Sequence, residues 1–570
     1  MLKTAESRER WLFWLVALLV LGAGLGLRDP WPADEPRFAL VAKQMVDSHQ
    51  WLFPMRGNEL YADKPPLFMW LQAIALTVVG NLRVAFLLPS LLASLGTLAL
   101  LRDLGARLYD RRAGAYAAWA LLFTFAFTFQ ARRAQIDPLL VFWVTLSVYG
   151  LVRHLVRGPD LRMWYLGWFA AGLGVITKGV GVIALLVLIP AAVLHARGWA
   201  SIGAQGWRRP ATWLGPVLLV LPIAVWLGPM LWAVEHSTDP ALHDYADNIL
   251  LRQTAKRYVD PSHHIQPVWY FPVVILTQWL PAWLALPWVW SGWRDAWRAR
   301  DGRLALLLTW VALVVVFFSL SAGKREVYIL PALPMFCLAL GAWLPAAIEQ
   351  PNARRLAFGL ATALTLLLGI AGAMVVFGHP GFEQRLDEAR GMVGGADALG
   401  RMMLAIAAWG AAMVFAFGVR RGVAALLGTL TGLWLLVGLA AQPLLNDASS
   451  ARGLMQRAAH IVGPTDEFAL VAWKEQNLLM ADRPARTFGF VRDPALQLRD
   501  ALVWQREAPS RRWILLEDDA LASCIDRARA TFVGHSNRRE WWLVPSDAAA
   551  RCAAKPVVSP AAAVPEAGGT

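Results

Sequence analysis

Charge is sparse in this 570-residue sequence. Only 16% of its residues are Asp, Glu, Lys or Arg, against roughly a quarter in a soluble globular protein. Hydrophobic residues make up 57%, and the mean hydropathy is +0.45. A string of soluble domains, which the length alone would allow, is therefore excluded. Cysteine is scarce, at three residues, and no cysteine cluster of metal-binding type exists. The C-terminal part has no Gly-rich nucleotide loop. No internal repeat is visible, which argues against a transporter built from two related halves. Residues 1–27 resemble a signal peptide but lack a clear small-residue cleavage site, so they read as a retained first span.

Apolar runs near the length of a bilayer crossing recur from residue 11 to residue 442. They fall at 11–27, 66–80, 82–101, 113–129, 138–152, 163–177, 179–196, 212–234, 266–290, 304–320, 327–347, 356–377, 402–418 and 423–442. Many of the 30 tryptophans stand at the ends of these runs, as Trp11, Trp164, Trp269 and Trp279 do. That placement suits the aromatic belts of a membrane interface, with high tryptophan usage throughout as the alternative.

The formal net charge of +14 comes from 54 basic and 40 acidic residues. The basic residues sit in short loops between apolar runs, which marks orientation and excludes a nucleic-acid stripe. Basic loops at 3–10, 102–112, 153–162, 197–209, 294–303, 354–355 and 420–421 are expected on the cytoplasmic side. An odd number of crossings must then lie between residues 28 and 110, although two runs are present. The run 66–80 is short and opens with Pro65-Pro66, so it is expected to lie along the outer face. Thirteen crossings remain.

The expected organisation is a transmembrane domain at 1–445, a small α/β domain outside the membrane at 446–552 and a disordered Ala/Pro/Val/Gly-rich tail at 553–570. Within the first domain, residues 28–80 form the first outer loop. In the α/β domain, strands are expected at 467–472, 487–491, 512–516 and 541–544, with amphipathic helical stretches at 495–507 and 519–529. Cys524 and Cys552 form a disulfide there if the domain is extracytoplasmic; two free thiols are the alternative. Cys337 falls in a span.

This topology gathers polar residues on the outer side. Lys64, Arg132, Arg133, Lys178, Arg252, Lys324 and Arg325 all fall there, close to span ends, where positive-inside bias predicts few cations. A phosphate or pyrophosphate at the membrane surface would hold them there, with lipid headgroups or nearby acids as the bland alternative. Asp34-Glu35 follows the first span and could act as a base or bind a cationic group. Asp34 and Asp137 also suit helix N-caps, since Pro36 and Pro138 follow closely. Lys178-Gly179 interrupts a long apolar stretch and is expected at the outer surface. His263 and His264, with Asp63, are weak candidates for a divalent metal, and no spacing motif supports them.

Asp34-Glu35-Pro36-Arg37, then Lys64-Pro65-Pro66-Leu67, resembles the membrane glycosyltransferases of the protein O-mannosyltransferase superfamily. Within it the chain looks most like the bacterial 4-amino-4-deoxy-L-arabinose transferases that modify lipid A. Further matches run from Arg132 to Pro138, over Thr177-Lys178-Gly179, from Asp247-Asn248 to Arg252 with His264 and Pro267, and over Lys324-Arg325 with Tyr328, Pro331 and Pro334. They cover about the first 335 residues. The resemblance implies an α-helical C-type glycosyltransferase fold with thirteen spans, two outer juxtamembrane helices and a periplasmic C-terminal domain. It implies a catalytic carboxylate at Asp34, a donor-phosphate site of Lys64, Arg252 and Tyr328, and further cavity residues at Arg37, Tyr61 and Asp137. Asp137 is a second candidate catalytic carboxylate, and Glu35, Lys178, Lys324 and Arg325 are further candidates for the substrate cavity. The implied enzyme sits in the bacterial inner membrane. It takes aminoarabinose from undecaprenyl phosphate and places it on a lipid A phosphate at the periplasmic face. The alternatives are a polyprenyl-phosphate-dependent protein O-glycosyltransferase and a lipid-linked sugar transporter.

Overall fold

The computed structural model describes residues 2–199, 201–203, 209–250, 264–378, 381 and 395–553. Seven of its helices are long and apolar enough to cross a membrane: Leu82–Leu108, Ile136–Arg157, Pro210–Glu235, Gly302–Leu320, Pro351–Phe377, Gly395–Phe417 and Val419–Leu444. Two bent pairs raise the number to nine: Arg111–Phe123 with Phe125–Ala131, bent by 69°, and Tyr270–Gln278 with Ala282–Arg298, bent by 86°. The thirteen crossings expected from loop charge would need four more helices: α1 (Leu2–Gly22), Leu161–Lys178, Val180–Ala196 and Glu326–Gly341.

The two bends explain each other. A break inside a membrane exposes backbone groups that lipid cannot satisfy. Here the Phe125 amide donates to the Leu280 carbonyl at 2.8 Å, so one broken helix satisfies the other. At Lys178 the chain reverses sharply. Gly179 has φ +55°, and a Cβ added at Gly181 would lie 2.5 Å from the Gly174 Cα. Only glycine lets the two strands of this reversal approach so closely.

Outside the bundle, α2 (Glu35–Ser48) carries Pro36 in its first turn and buries Phe38, Leu40, Val41 and Met45. α3 (Leu67–Val79) begins after Pro65-Pro66, ends at the left-handed Gly80 and lies against α2. It buries Phe68, Met69, Gln72 and Ala73, and leaves Ile74 and Val78 exposed. Between them, β1 (Met55–Arg56) and β2 (Glu59–Leu60) form a tight hairpin.

Strands β3 (Glu467–Val471), β4 (Arg486–Thr487), β5 (Arg512–Glu517), β6 (Thr531–Ser536) and β7 (Arg539–Val544) form one sheet in the order β4-β3-β5-β7-β6. β3 is parallel to both β4 and β5, and the other pairs are antiparallel. The helix Pro494–Arg506 matches the expected 495–507 stretch. The expected helical stretch 519–529 is instead a single 3-10 turn at Asp518–Ala520 followed by turns, and β6 had no expected counterpart. Cys524 and Cys552 form a disulfide with a Cα–Cα distance of 4.9 Å, and Cys337 is a buried free thiol.

The sheet is docked on the first loop. Phe468, Leu470, Trp473 and Trp541 share one apolar cluster with Phe38, Met45, Tyr61 and Phe68. The hairpin tip needs Gly57, at φ +67°, because a Cβ there would lie 2.9 Å from the Trp473 ring. A second tie is buried Asp29, which accepts from Arg83 Nε at 2.9 Å, Arg452 Nη2 at 2.6 Å and Asn446 Nδ2 at 2.8 Å. Burial alone would raise the pKa of Asp29; Arg452, Arg83 and Asn446 overcome this and hold it well below the ordinary carboxylate range. The stabilisation is therefore present at neutral pH and is lost as acid protonates the group. Asp29→Asn removes one partner of a buried charge network and should cost about 3 kcal/mol. Thermal unfolding of purified protein checks this, and an unchanged midpoint would contradict it.

Candidate functional site

Two neighbouring carboxylates at the start of α2 have opposite environments. Glu35 is fully buried. Both of its oxygens bind the Arg28 guanidinium, one of them at 2.7 Å, and they also accept from the amides of Trp31 at 2.9 Å and Ala134 at 3.0 Å. Burial would raise its pKa, and Arg28 with the two amides drives it down instead. Glu35, a candidate for the substrate cavity from sequence, thus sits in the scaffold beneath the site.

Asp34 is held loosely. Its side chain makes no capping hydrogen bond to α2, which removes the N-cap alternative. Its nearest charged partners are Arg37 at 3.5 Å and Arg325 at 3.8 Å, and Gln135 Nε2 lies at 3.5 Å. These distances are at or beyond the long limit of a hydrogen bond. The side chain is 21% exposed, so the carboxylate is positioned by cations yet open to a further group.

Further groups connect to it through these partners. Arg37 donates through Nε to Glu475 at 2.8 Å, and Arg56 lies 3.8 Å from the same carboxylate. Glu475 belongs to the sheet region, four residues beyond the end of β3, and it is buried. Tyr61 is buried beside Arg56, and its hydroxyl has no hydrogen-bond partner among the described residues. Burial, reinforced by Asp63, pushes that phenol well above its ordinary pKa, so it stays a neutral donor. On the far side, Asp137 forms a 2.5 Å ion pair with Lys178, whose Nζ lies 5.2 Å from the centre of the Tyr328 ring. Asp137 therefore serves Lys178, with Gln135 standing at the cap position.

The segment from Arg325 to Tyr328 joins these groups, because Arg325 reaches Asp34 and Tyr328 reaches Lys178. Lys324 is buried, with Nζ donating to the Gln266 carbonyl at 2.8 Å and its amide to His264 at 2.9 Å, so it braces the chain. Arg132 is also structural: its guanidinium binds the carbonyls of Val20 and Ala23. Arg133 stacks over Phe129. Lys64 is half-buried one residue after Asp63, which pairs with Arg56 at 3.5 Å. Arg252 and His263 lie outside the described residues. Among the described residues no three His, Cys, Asp or Glu side chains come together to hold a metal ion, and Asp63 and His264 belong to no such group.

Sequence reasoning missed Arg28, Asp29, Arg56, Asn446, Arg452 and Glu475. Only Glu475 carried a usable signal, since a carboxylate just past the carboxyl end of a parallel strand is a common site position. Glu475→Gln removes the carboxylate that Arg37 and Arg56 share and leaves them only their 3.5 Å contacts to Asp34 and Asp63. It should lower stability by about 2–4 kcal/mol and weaken any activity that depends on Arg37. Unfolding and turnover measured together check this, and wild-type values in both would contradict it.

Residues 63–228 match the family described as dolichyl-phosphate-mannose-protein mannosyltransferase. Over 375 residues the chain is 31% identical to an undecaprenyl phosphate-alpha-4-amino-4-deoxy-L-arabinose arabinosyl transferase of Pseudomonas fluorescens, covering 64% of each protein. It is 27% identical over 382 residues to the transferase of that name from Pseudomonas savastanoi, covering 65% of this chain and 68% of the relative. The matched part thus spans about two thirds of these relatives. The crystal structure of ArnT from Cupriavidus metallidurans bound to undecaprenyl phosphate superposes with a TM-score of 0.71 at 19% identity, covering 93% of this chain and 97% of that one. The chain is thus similar in sequence to bacterial aminoarabinose transferases over about two thirds of its length, and it has the fold of ArnT.

Proposed function

We propose that this protein is an inner-membrane glycosyltransferase. It moves a sugar, 4-amino-4-deoxy-L-arabinose, from undecaprenyl phosphate to a phosphate of lipid A. The reading includes thirteen crossings, with the Asp34 site and the sheet domain on the periplasmic side and the basic loops inside. The observation that carries it is the loosely held Asp34 carboxylate between Arg37 and Arg325, with Tyr328, three residues after Arg325, placing its ring against Lys178.

The reaction breaks the bond between the sugar's anomeric carbon and the donor phosphate oxygen. A lipid A phosphate oxygen forms the new bond, and undecaprenyl phosphate leaves. Charge grows on the leaving phosphate in the transition state, and preorganised donors stabilise it there. Lys64, Arg252 and the Tyr328 hydroxyl are the proposed donors, with Arg325 and Lys178 adding positive potential behind them. The acceptor phosphate is ionised near neutral pH, so no strong base is needed. Asp34 instead attracts the ammonium of the amino sugar and orients the reacting groups. Neutral Tyr61 supplies a hydroxyl to the same pocket.

No step in this scheme passes through a metal. Transfer should therefore survive chelation of divalent cations, and its loss on chelation would point instead to an ion at Asp63, His263 and His264.

Asp34→Asn should reduce transfer by about 100-fold or more with the unfolding midpoint unchanged. The assay uses purified protein, undecaprenyl-phosphate aminoarabinose and lipid A, read by mass spectrometry. Wild-type turnover in the variant would overturn the role of Asp34. Transfer to protein hydroxyls with none to lipid A would favour O-glycosylation.

A further inference from the structure

A cavity of about 1530 Å³ lies at the opposite end of α1 from Asp34. The helix is 21 residues long, or about 30 Å. The cavity exceeds the roughly 300–1,000 Å³ of a small-molecule pocket. It separates two parts of the bundle. On one side are α1, Arg111–Phe123 and the bend at Pro281. On the other are the first turns of Pro351–Phe377 and Gly422–Leu436, which pack with Gly395–Phe417 as a three-helix unit.

The wall and the mouth differ in chemistry. Trp14, Trp119, Phe123, Leu284, Leu360 and Leu427 line the apolar wall. The mouth carries Arg10, Arg112, Arg354, Arg420 and Arg421. Among the described residues no carboxylate lies within 4.0 Å of any of these five. The acids at the mouth are largely committed elsewhere: Glu9 binds Arg102, Glu6 binds Arg111 at 3.1 Å, and Asp103 binds Arg107 at 2.5 Å. Glu349 is the remaining acid at the mouth. The charge left over is positive.

Water gains little against an aromatic and leucine wall, and an empty gap of this size would forfeit its dispersion contacts. Acyl chains satisfy the wall, and a phosphate satisfies the arginines. Basic pockets between helices on the cytoplasmic side are suited to anionic lipid head groups. We propose that this cavity seats an anionic glycerophospholipid of the cytoplasmic leaflet, which wedges the three-helix unit against the rest of the bundle. The inference rests on the orientation proposed above and not on the chemistry at Asp34.

The test is native mass spectrometry of full-length protein released from phosphatidylcholine nanodiscs doped either with phosphatidylglycerol or with undecaprenyl phosphate. Wild-type protein should retain phosphatidylglycerol at least tenfold over phosphatidylcholine. The triple variant Arg112→Gln, Arg420→Gln, Arg421→Gln should lose that preference and keep its undecaprenyl phosphate. Leu427→Trp, which fills the cavity and leaves the arginines in place, should also lose the bound phospholipid. Equal retention of the two phospholipids, unchanged retention in both variants, or loss of undecaprenyl phosphate in the triple variant would each overturn the proposal. Transfer is assayed separately on the same samples, so failure of the Asp34 reading registers independently.

Discussion

The buried pair between Arg28 and Glu35 fixes three pieces of chain at one point. Arg28 follows the first helix, Glu35 opens α2, and the amide of Ala134 precedes the helix Ile136–Arg157. A buried ion pair gains from further hydrogen bonds to its members; here Trp31, Ala134 and the Arg132 carbonyl supply them, and Arg28 Nε alone of the guanidinium has no partner among the described residues. The adjacent residue then has no structural duty. Asp34 is held in place by its neighbour and left with long, weak contacts of its own. One carboxylate carries the architecture, and the next is left open to a further group.

The sheet domain is part of the same construction. Arg37 and Arg56 project from the first loop toward Glu475, which follows β3. Asp29 ties Arg83 at the start of a span to Arg452 at the start of the sheet region. Two separate charge clusters thus tie the sheet region to the rest of the chain, and the one at Glu475 holds Arg37 beside Asp34.

Much of this was legible locally. Asp34, Arg37 and the Pro65-Pro66 start of α3 announce themselves in a few residues. Lys178 was expected at a surface beside an interrupted apolar stretch, and it stands at a chain reversal paired with Asp137. What was hidden depends on contacts across the chain. Arg37 and Glu475 are 438 residues apart, and Asp29 and Arg452 are 423 apart. No periodicity encodes such a pairing. The bends at Thr124 and Leu280 were read as single spans because apolar runs carry no mark of where a helix turns. The stretch 519–529 was misread as an amphipathic helix, since Leu521, Cys524, Ile525 and Ala528 recur at helical spacing in what is a run of turns. β6 escaped because Gly534 and the exposed Phe532 interrupt its pattern.

The central claim is that charges from separate outer loops converge on one lipid phosphate. A structure of the full chain with undecaprenyl phosphate bound tests it most directly. The account predicts the phosphate within hydrogen-bond reach of Lys64 and the Tyr328 hydroxyl, with its first sugar-side oxygen facing Asp34. A phosphate seated away from these residues, or at the arginine-lined end of α1, would contradict it.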